Sequence, residues 1–281
     1  MMKQSTEQSI AGVVLCLNEA KNLPRAINSL AWCEEVIVVD SGSDDGSRAI
    51  AASLGARVLV HRQQGSFLIT DQRNWVLEHG EIESDWILFL DADEKIGDNC
   101  RNHIQHTINR PEAEEAYELT PRYWFLGRWL KYTQGYPNWH PRLLRRGKTK
   151  FQGGVWESFV VGVRIGKIKT PYEHYGFSKG IDDWIKRHSR YADWEAEKIN
   201  AVLSGQGPRA LGTSRWRLLR LIMAYLWPLR PLLRFIQKYI LQGGFLEGWQ
   251  GLVFSLLMAV YDLITIIKLI EHRRQHKGLE L

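Results

Sequence analysis

Short apolar runs alternate with helix-like stretches along the first hundred residues of the chain. The apolar runs predict four strands, at residues 12–17, 35–39, 57–61 and 86–90. The stretches between them predict helices at residues 22–31, 46–54 and 70–79. This order of elements is typical of an α/β fold in which helices cover both faces of a mainly parallel sheet.

Two carboxylates follow the fourth predicted strand, in the run WILFLDADEK at residues 86–95. Successive side chains of a strand point to opposite faces, so Asp91 and Asp93 share a face at the carboxyl end, where open α/β sheets bind ligands. Two hard oxygen donors at that place suit a divalent cation that carries a diphosphate. The alternative is a pair of solvated loop carboxylates, which is the usual role of an acidic cluster.

Further polar residues lie where other predicted strands end or in the third predicted helix. They are Asn18 and Glu19 after the first strand, Asp40 with Ser41 and Gly42 after the second, and Gln72, Arg73 and Asn74 in the helix. A strand-end carboxylate can accept hydrogen bonds from a ribose or a base, and a turn of small residues lets the backbone approach a nucleotide. Together they predict a nucleotide-sugar pocket, although Asp40 alone could equally cap the helix that follows it or shape its turn.

The pattern changes twice after the predicted sheet. Residues 117–175 are rich in Trp, Tyr, Arg and Gly with an irregular pattern, which favours loops and short strands that close over a polar substrate. From residue 180 the apolar spacing becomes helical, and the run GQGP at residues 205–208 breaks it. We therefore expect a catalytic domain at residues 1–205 and a basic, apolar helical region for membrane association at residues 206–281.

Composition narrows the class of protein. The chain has 281 residues, of which 44% are hydrophobic, so most of it is expected to fold. Its three cysteines are too few and too scattered for a disulfide framework or a zinc site, which favours a reducing compartment. The apolar run before Asn18 is short for a signal sequence and is interpreted as the first strand.

The net charge of +6 is concentrated near the carboxyl-terminal end. No Asp or Glu occurs at residues 198–246, which contain these cations among many apolar residues: Lys198, Arg209, Arg215, Arg217, Arg220, Arg230, Arg234 and Lys238. Such a basic block favours an anionic membrane surface over nucleic acid, because it is too apolar for a solvated groove that tracks phosphates. Residues 251–270 approach the length of a membrane span, but Asp262 and Lys268 interrupt them, which favours helices in the interface or against the catalytic domain over a true span.

Four segments of the chain resemble the inverting family 2 glycosyltransferases, which have the Rossmann-like GT-A fold. The segments are VVLCLNEAKNLPRAINSL, EVIVVDSGSDDGS, DQRNWVLEHGEIESDWILFLDADEKI and RLLRRGKTKFQGGVWES. Within the family the chain is most similar to the lipopolysaccharide core glucosyltransferases of the WaaE/KdtX type, through KRHSRYADWEAEK and KYILQGGFLEGWQGL. The resemblance implies transfer of a hexose, with glucose the leading expectation, from a UDP-sugar to a lipid-linked saccharide in cell-envelope synthesis. It also implies a peripheral location on the cytoplasmic face of the bacterial inner membrane.

The resemblance also implies roles for individual residues. Asn18, Glu19 and Asp40 would contact the nucleoside, Gln72 and Arg73 would line the donor pocket, Asp91 would lie near ribose and diphosphate, and Asp93 would hold Mg or Mn. Glu157, in GGVWES, would be the catalytic base, with Asp182 and Asp183 as second choices. Arg142, Arg145 or Arg146 would assist at the diphosphate or the acceptor.

Two other functions remain open. A polyprenyl-phosphate glycosyltransferase would share the catalytic domain and load a lipid carrier, but such enzymes usually carry clear spanning helices. A non-catalytic adaptor at the membrane would retain only the nucleotide-binding shell, and loss of the acidic pair or the base would favour it; neither is missing.

Overall fold

The computed structural model describes residues 8–64, 68–153, 157–204 and 225–280. The chain forms two compact units. The first comprises residues 1–124 and 136–178, and the second comprises residues 125–135 and 179–281. The helix at Ile181–Leu203, which the sequence analysis assigned to the catalytic domain, is part of the second unit. The expected boundary at residue 205 lies outside the described residues, as do Arg209, Arg215, Arg217 and Arg220 of the basic block.

The first unit is an α/β structure. Its strands are β1 (Ile10–Cys16), β2 (Glu35–Asp40), β3 (Arg57–Val60), β4 (Trp86–Asp91), β5 (Glu94–Lys95), β6 (Ala116–Phe125, whose last residue belongs to the second unit), β8 (His140–Arg145), β9 (Phe151–Gly153), β10 (Glu157–Phe159) and β11 (Ile165–His174). Its helices are α1 (Leu23–Ser29), α2 (Ser47–Ser53), α3 (Ile69–His79) and α4 (Asp98–Ile108). The four strands and three helices predicted for the first hundred residues are all present, with ends shifted by one or two residues in most cases.

The central sheet has the strand order β3-β2-β1-β4-β8-β6-β11-β5. Strands β1 to β4 are parallel, and the register pairs Cys16 with Asp40 and Leu15 with Asp91, so their carboxyl ends meet at one edge. Strand β8 runs antiparallel to β4 and pairs Leu143 with Leu88, which brings the beginning of β8 to the same edge. The expected mainly parallel α/β sheet is confirmed.

Hydrophobic residues of alternating strand positions pack on the two faces of this sheet. On one face Val14 and Leu88 pack with helices α1, α2 and α4. On the other face Val13 and Phe89 pack with α3 and with the β9–β10 hairpin. Every residue of β1 is buried, as expected for a strand that is covered on both faces.

Residues 117–175 differ from the prediction of loops and short strands. They contain β6 and β11, which have ten residues each and pair in parallel within the central sheet. Pro121, Pro141 and Pro171 lie inside β6, β8 and β11, and the register of β11 shifts between Ile168 and Tyr172. Proline is normally confined to the edges and bulges of sheets, so a proline within a segment argues against a strand. These three segments nevertheless form strands, because pairing with their neighbours in the sheet stabilises them.

The second unit is mainly helical. It contains β7 (Arg128–Trp129), α5 (Ile181–Leu203), a 3₁₀ turn (Trp227–Leu229), α6 (Arg230–Phe235), a π-helical turn (Ile236–Leu241), a second 3₁₀ turn (Gly244–Glu247) and α7 (Gly248–His276). Helix α7 packs along α5, where Leu269 joins Ala196 and Ile199 in a small core. The predicted helical character of residues 181–203 and of the carboxyl-terminal region is present in the structure.

Candidate active site at the carboxyl edge of the sheet

Asp91, the last residue of β4, lies between two buried arginines. Arg73 of α3 donates from Nη2 to Asp91 Oδ1 at 3.2 Å, and Arg142 of β8 donates from Nη2 to Oδ2 at 2.9 Å. Burial pushes the pKa of Asp91 upward, but the charges of Arg142 and Arg73 outweigh it and hold that pKa well below its usual range. Asp91 is therefore a fixed anion at the point where the parallel strands end.

Glu157, the first residue of β10, joins the same cluster. Its Oε1 accepts from Arg73 Nη1 at 2.6 Å and lies 3.7 Å from Arg142 Nη1. Its Oε2 is buried and has no hydrogen-bond partner among the described residues. Burial raises the pKa of Glu157, and the two arginines oppose that rise. The result is a buried carboxylate with one oxygen held and the other available to accept a proton.

Glu94 is the third carboxylate of the cluster. Its Oε1 accepts from Arg142 Nη2 at 2.7 Å, and its Oε2 accepts the backbone N–H of Asp91 at 2.9 Å. Burial raises its pKa to about 7, although Arg142 acts in the opposite direction. Tyr172 Oη accepts from Arg142 Nε at 3.3 Å, so the guanidinium of Arg142 is fixed from several sides.

Asp93 lies beside His174, the last residue of β11. His174 Nε2 is 3.4 Å from Asp93 Oδ2, and its Nδ1 is 3.5 Å from Glu94 Oε1. Burial lowers the pKa of His174, but Asp93 and then Glu94 outweigh it and raise the pKa to about 9. Asp93 Oδ2 is a hard oxygen donor of the kind that divalent cations prefer, and His174 Nε2 could join it as a ligand only after losing the proton that its raised pKa retains. The donor set therefore suits a divalent cation that takes its remaining ligands from a diphosphate and water, since the described residues contain no cluster of three protein ligands.

The loops after β1 and β2 interlock at the other end of this edge. Asp40 is fully buried, and its Oδ1 accepts the N–H groups of Gly42 and Ser43 at 2.9 Å each. Its Oδ2 has no hydrogen-bond partner among the described residues. Asn18, in a left-handed conformation with φ of 55°, accepts the N–H of Asp44 at 2.9 Å. Asp40 thus shapes its turn and does not cap α2, and it also presents a free acceptor oxygen.

Glu19 and Gln72 both have structural partners. Glu19 Oε2 accepts from Asn22 Nδ2 at 2.7 Å, and the carbonyl of Glu19 accepts the N–H groups of Asn22 and Leu23 at the start of α1. Gln72 is fully buried and donates to the carbonyl of His61 at 3.2 Å, which ties α3 to the end of β3. Both residues lie at the predicted edge and help to hold its loops.

Arg145 and Arg146 do not lie with Arg142. Arg145 pairs with Trp86 in the register of β8 and β4, and the backbone N–H of Arg146 donates to the carbonyl of Asp85. Because β8 runs antiparallel to β4, both residues come to the amino end of β4, opposite the cluster. Asp182 and Asp183 belong to α5 in the second unit, where Asp183 pairs with Arg187 at 3.0 Å.

Three residues of the cluster are outside the predicted set of site residues: Glu94, Tyr172 and His174. Glu94 directly follows Asp93, the predicted metal ligand. Its place in the sequence DADE could therefore have indicated that it belongs to the site. Tyr172 and His174 follow the bulge of β11, and no spacing pattern linked them to Asp93. Their proximity depends on the pairing of β11 with β5, which places His174 opposite Glu94.

The comparisons with known proteins agree with this geometry. The family model described as Glycosyl transferase family 2 matches residues 13–168, which include the second half of β1, all of β2 to β4, Arg73, Asp91, Arg142 and Glu157. The chain belongs to glycosyl transferase family 2. The expected family is confirmed, and the protein is a glycosyltransferase.

Two relatives of this family 2 transferase align over most of its length. The lipopolysaccharide core biosynthesis glycosyltransferase LpsC of Rhizobium meliloti (strain 1021) is 24% identical over 92% of this chain and 91% of its own. The uncharacterized glycosyltransferase RT0209 of Rickettsia typhi (strain Wilmington) is 33% identical over 94% of this chain and 87% of its own. A homologue of the transferase therefore acts in lipopolysaccharide core biosynthesis.

A solved structure supports the fold of the transferase. The mannosyltransferase PcManGT from Pyrobaculum calidifontis, in complex with GDP-Man and Mn²⁺, has a TM-score of 0.51 and 14% sequence identity, over 94% of this chain and 88% of its own. The expected GT-A fold is confirmed.

Proposed function

We propose that this transferase moves a hexose, with glucose the leading choice, from a UDP-sugar to a lipid-linked saccharide of the lipopolysaccharide core or a related envelope polysaccharide. The observation that carries the proposal is the buried cluster at the end of β4, in which Arg73 joins the fixed anion of Asp91 to the carboxylate of Glu157. The relative LpsC, named for lipopolysaccharide core biosynthesis, supports the acceptor class. We propose the cytoplasmic face of the bacterial inner membrane as the location.

The donor would lie along the edge from Asp40 to Asp93. Asp40 Oδ2, buried and unpartnered among the described residues, would accept the ring N–H of the base, and Asn18 and Glu19 would frame it. The side chain of Asp91 is 28% exposed, and it would accept a hydrogen bond from a ribose hydroxyl. Gln72 would support this pocket from α3.

Asp93, joined by His174 once its imidazole has lost its proton, would hold a divalent cation at the diphosphate. The neighbouring fold, solved with GDP-Man and Mn²⁺, supports this choice of group. When bound, the cation would stabilise the negative charge that develops on the departing nucleoside diphosphate. Arg142, buried and held by Asp91 and Glu94, would keep the carboxylates on this edge in position.

Glu157 would act as the base of a single displacement. As the bond between the sugar carbon and the diphosphate oxygen breaks, the acceptor oxygen bonds to that carbon from the opposite side, and the acceptor proton passes to Glu157 Oε2. The bonding electrons leave with UDP, and the configuration at the sugar carbon inverts. The free Oε2 and the raised pKa of Glu157 both suit this role.

The test is nucleotide release by purified protein across a panel of sugar nucleotides, with and without Mn²⁺. Two acceptors are compared, an inner-core lipid saccharide and polyprenyl phosphate. Release of UDP from one donor, dependent on the core saccharide and on the cation, is expected. Release that depends on polyprenyl phosphate would move the assignment to a lipid-carrier transferase, and binding of UDP without release under any condition would favour the adaptor.

A pair of variants ties the activity to the cluster. Glu157→Gln should keep donor affinity and lower kcat by at least about 10²-fold, the usual contribution of a general base. Glu78→Gln is the matched control, because Glu78 makes an exposed pair with Lys150 at 2.6 Å, has no contact with Arg73, Asp91 or Arg142 among the ion pairs of the described residues, and should keep kcat. Unchanged turnover in Glu157→Gln would exclude Glu157 as the base.

A further inference from the structure

Helix α7 presents an uninterrupted apolar face to solvent. The exposed residues between positions 249 and 270 are all apolar: Trp249, Leu256, Val260, Leu263, Ile267 and Ile270. The last five are 42–48% exposed and recur at intervals of four and three residues. This spacing places them on one side of the helix. We refer to these five residues as the outer stripe.

The two charged residues within this stretch of α7 point into the second unit. Asp262 accepts hydrogen bonds from Arg230 Nη2 at 3.1 Å and from Arg234 Nε at 2.8 Å. Lys268 Nζ pairs with Asp193 of α5 at 2.6 Å. The two residues that argued against a membrane span in the sequence are thus both paired within the unit, and the outer stripe carries no charge.

Cations of the basic block are also bound within the unit. Arg230 and Arg234 hold Asp262, and Lys238 donates to the carbonyl of Thr133. These three side chains therefore contribute less to a charged surface than the sequence predicted. The apolar outer stripe becomes the stronger candidate for a contact with lipid.

The packing of α5 on α7 decides how the helix could meet a bilayer. Residues 244–276 are long and apolar enough to cross a membrane, with a mean hydropathy of 2.1 in their most apolar window. However, α5 carries exposed Lys186, Arg190, Glu197 and Lys198. A crossing would take these charges into hydrocarbon, at a cost of roughly 3 kcal/mol each at the centre. One-sided immersion avoids this cost.

A second copy of the chain is a less suitable occupant of the outer stripe. The spacing of four and three residues also occurs in coiled coils, but there charged residues flank the apolar seam and pair across it. Here Val253, Leu257, Ala259 and Ile264 flank the stripe, so the apolar surface is wider than a seam. Leu241, Phe245 and Leu246, which precede α7, are also exposed, and after the stripe Arg273, Arg274 and Lys277 outnumber Glu271 and Glu280. A wide apolar face with a cationic end matches the acyl and phosphate regions of an anionic bilayer.

We propose that α7 is a one-sided membrane anchor, which lies in the plane of an anionic bilayer with its outer stripe in the acyl region. The inference rests on the proposed function in that a lipid-linked acceptor is presented to the enzyme at a membrane. It adds the surface that meets the membrane and the orientation of the helix.

Depth measurements on full-length protein test the orientation. Nitroxide labels on the single variants Leu256→Cys, Leu263→Cys and Ile270→Cys are compared on vesicles of phosphatidylethanolamine and phosphatidylglycerol, by accessibility to oxygen and to a nickel chelate. Glu197→Cys on α5 is the aqueous control, and unmodified protein taken through the same labelling gives the background. The three outer-stripe labels are expected at equal depth in the acyl region.

A spanning helix gives a different depth profile. Seven residues of α-helix rise ~10.5 Å, so a span would place position 263 about 10 Å deeper than positions 256 and 270. That gradient would overturn the in-plane anchor. Labels at all three positions that remain as water-accessible as the one at position 197 would overturn membrane contact itself.

Vesicle partitioning tests the contribution of the outer stripe. The double variant Leu263→Glu/Ile267→Glu should lower the partition coefficient at least tenfold. Ile185→Glu/Tyr191→Glu adds the same two charges at exposed apolar positions of α5 and is expected to bind within threefold of the unmodified protein. Equal loss in both variants would refute the assignment to α7, as would a lipid-free dimer that only the α7 variant dissociates.

Transfer in detergent micelles separates this inference from the proposed function. Protein that transfers the sugar in micelles but fails the depth test keeps the function and loses the anchor. Immersed labels on a protein that transfers nothing support the anchor and count against the function.

Discussion

Replacement of Arg73 by methionine should be strongly destabilising. The side chain of Arg73 is fully buried, donates to Glu157 at 2.6 Å and to Asp91 at 3.2 Å, and also donates to the carbonyl of Pro141 at 3.2 Å. Methionine fills similar volume but leaves two carboxylates next to each other without their shared cation. Removal of one partner of a buried ion pair lowers the free energy of unfolding by roughly 3–5 kcal/mol.

The structure places the expected cost toward the lower end of that range. Arg142 remains 3.7 Å from Glu157 Oε1 and 2.9 Å from Asp91 Oδ2, and the Asp91 side chain keeps 28% exposure. We therefore expect Arg73→Met to lower the free energy of unfolding by about 3 kcal/mol. The double variant Arg73→Met/Glu157→Gln should lose at least about 1 kcal/mol less than the sum of the two single changes, because it leaves no unpaired charge at position 157.

Urea unfolding, followed by tryptophan fluorescence, measures these differences at about pH 7 and about pH 5. Loss of Arg73 raises the pKa of Glu157 further above its unfolded value. When the pKa of a carboxyl group is higher in the folded state than in the unfolded state, the folded protein binds the proton more tightly. Proton binding by Glu157 therefore stabilises the folded state at low pH, and this stabilisation is lost as the pH rises. The cost of Arg73→Met should therefore shrink at the lower pH. A cost below about 1 kcal/mol that is equal at both pH values would refute the buried-charge argument.

Three further results are expected. Asp93→Asn should abolish cation-dependent transfer with an unchanged circular dichroism spectrum, and normal Mn²⁺-dependent UDP release would remove Asp93 from the cation site. The acid limb of the pH dependence of kcat should have an apparent pKa above the ordinary glutamate value of about 4.3, because burial raises the pKa of Glu157. A kcat that does not change with pH down to that value would contradict this expectation. Gly251→Ala should destabilise by about 1–3 kcal/mol despite better helix propensity, because its Cβ would clash with the backbone carbonyl oxygen of Gly244. Gly97→Ala, which meets nothing within 4 Å, is the control in thermal unfolding.

The first hundred residues were predictable because local pattern and tertiary environment agree there. Strand β4 is an apolar run that is buried on both faces, and its end coincides with the change from Leu90 to Asp91. The prediction that Asp91 and Asp40 meet at one edge follows from parallel pairing alone, and the register of β1 with β2 and β4 produces it. The resemblance to a known family pointed to Glu157, which no local pattern would have selected.

The strands of residues 117–175 were not predictable in the same way. Prolines and a bulge interrupt β6, β8 and β11, so their pairing depends on neighbours that are distant in sequence. The separation of Arg142 from Arg145 and Arg146 has the same origin. Arg142 lies in the first half of β8, Arg145 is its last residue and Arg146 follows it, so only the antiparallel direction of the strand decides which of them reaches the cluster.

By itself the sequence determined the α/β class, the parallel core, and the position of Asp40 and Asp91 at the edge of the sheet. It could do so because local hydrophobic periodicity marks both the buried strands and the polar residues that end them. Only the tertiary structure decided that Arg73 bridges Asp91 and Glu157, that His174 lies beside Asp93, and that Asp262 pairs with Arg230 inside the helical unit. These ion pairs join residues 18 to 84 positions apart. Their formation depends on strand order, strand direction and helix packing, which local pattern does not encode.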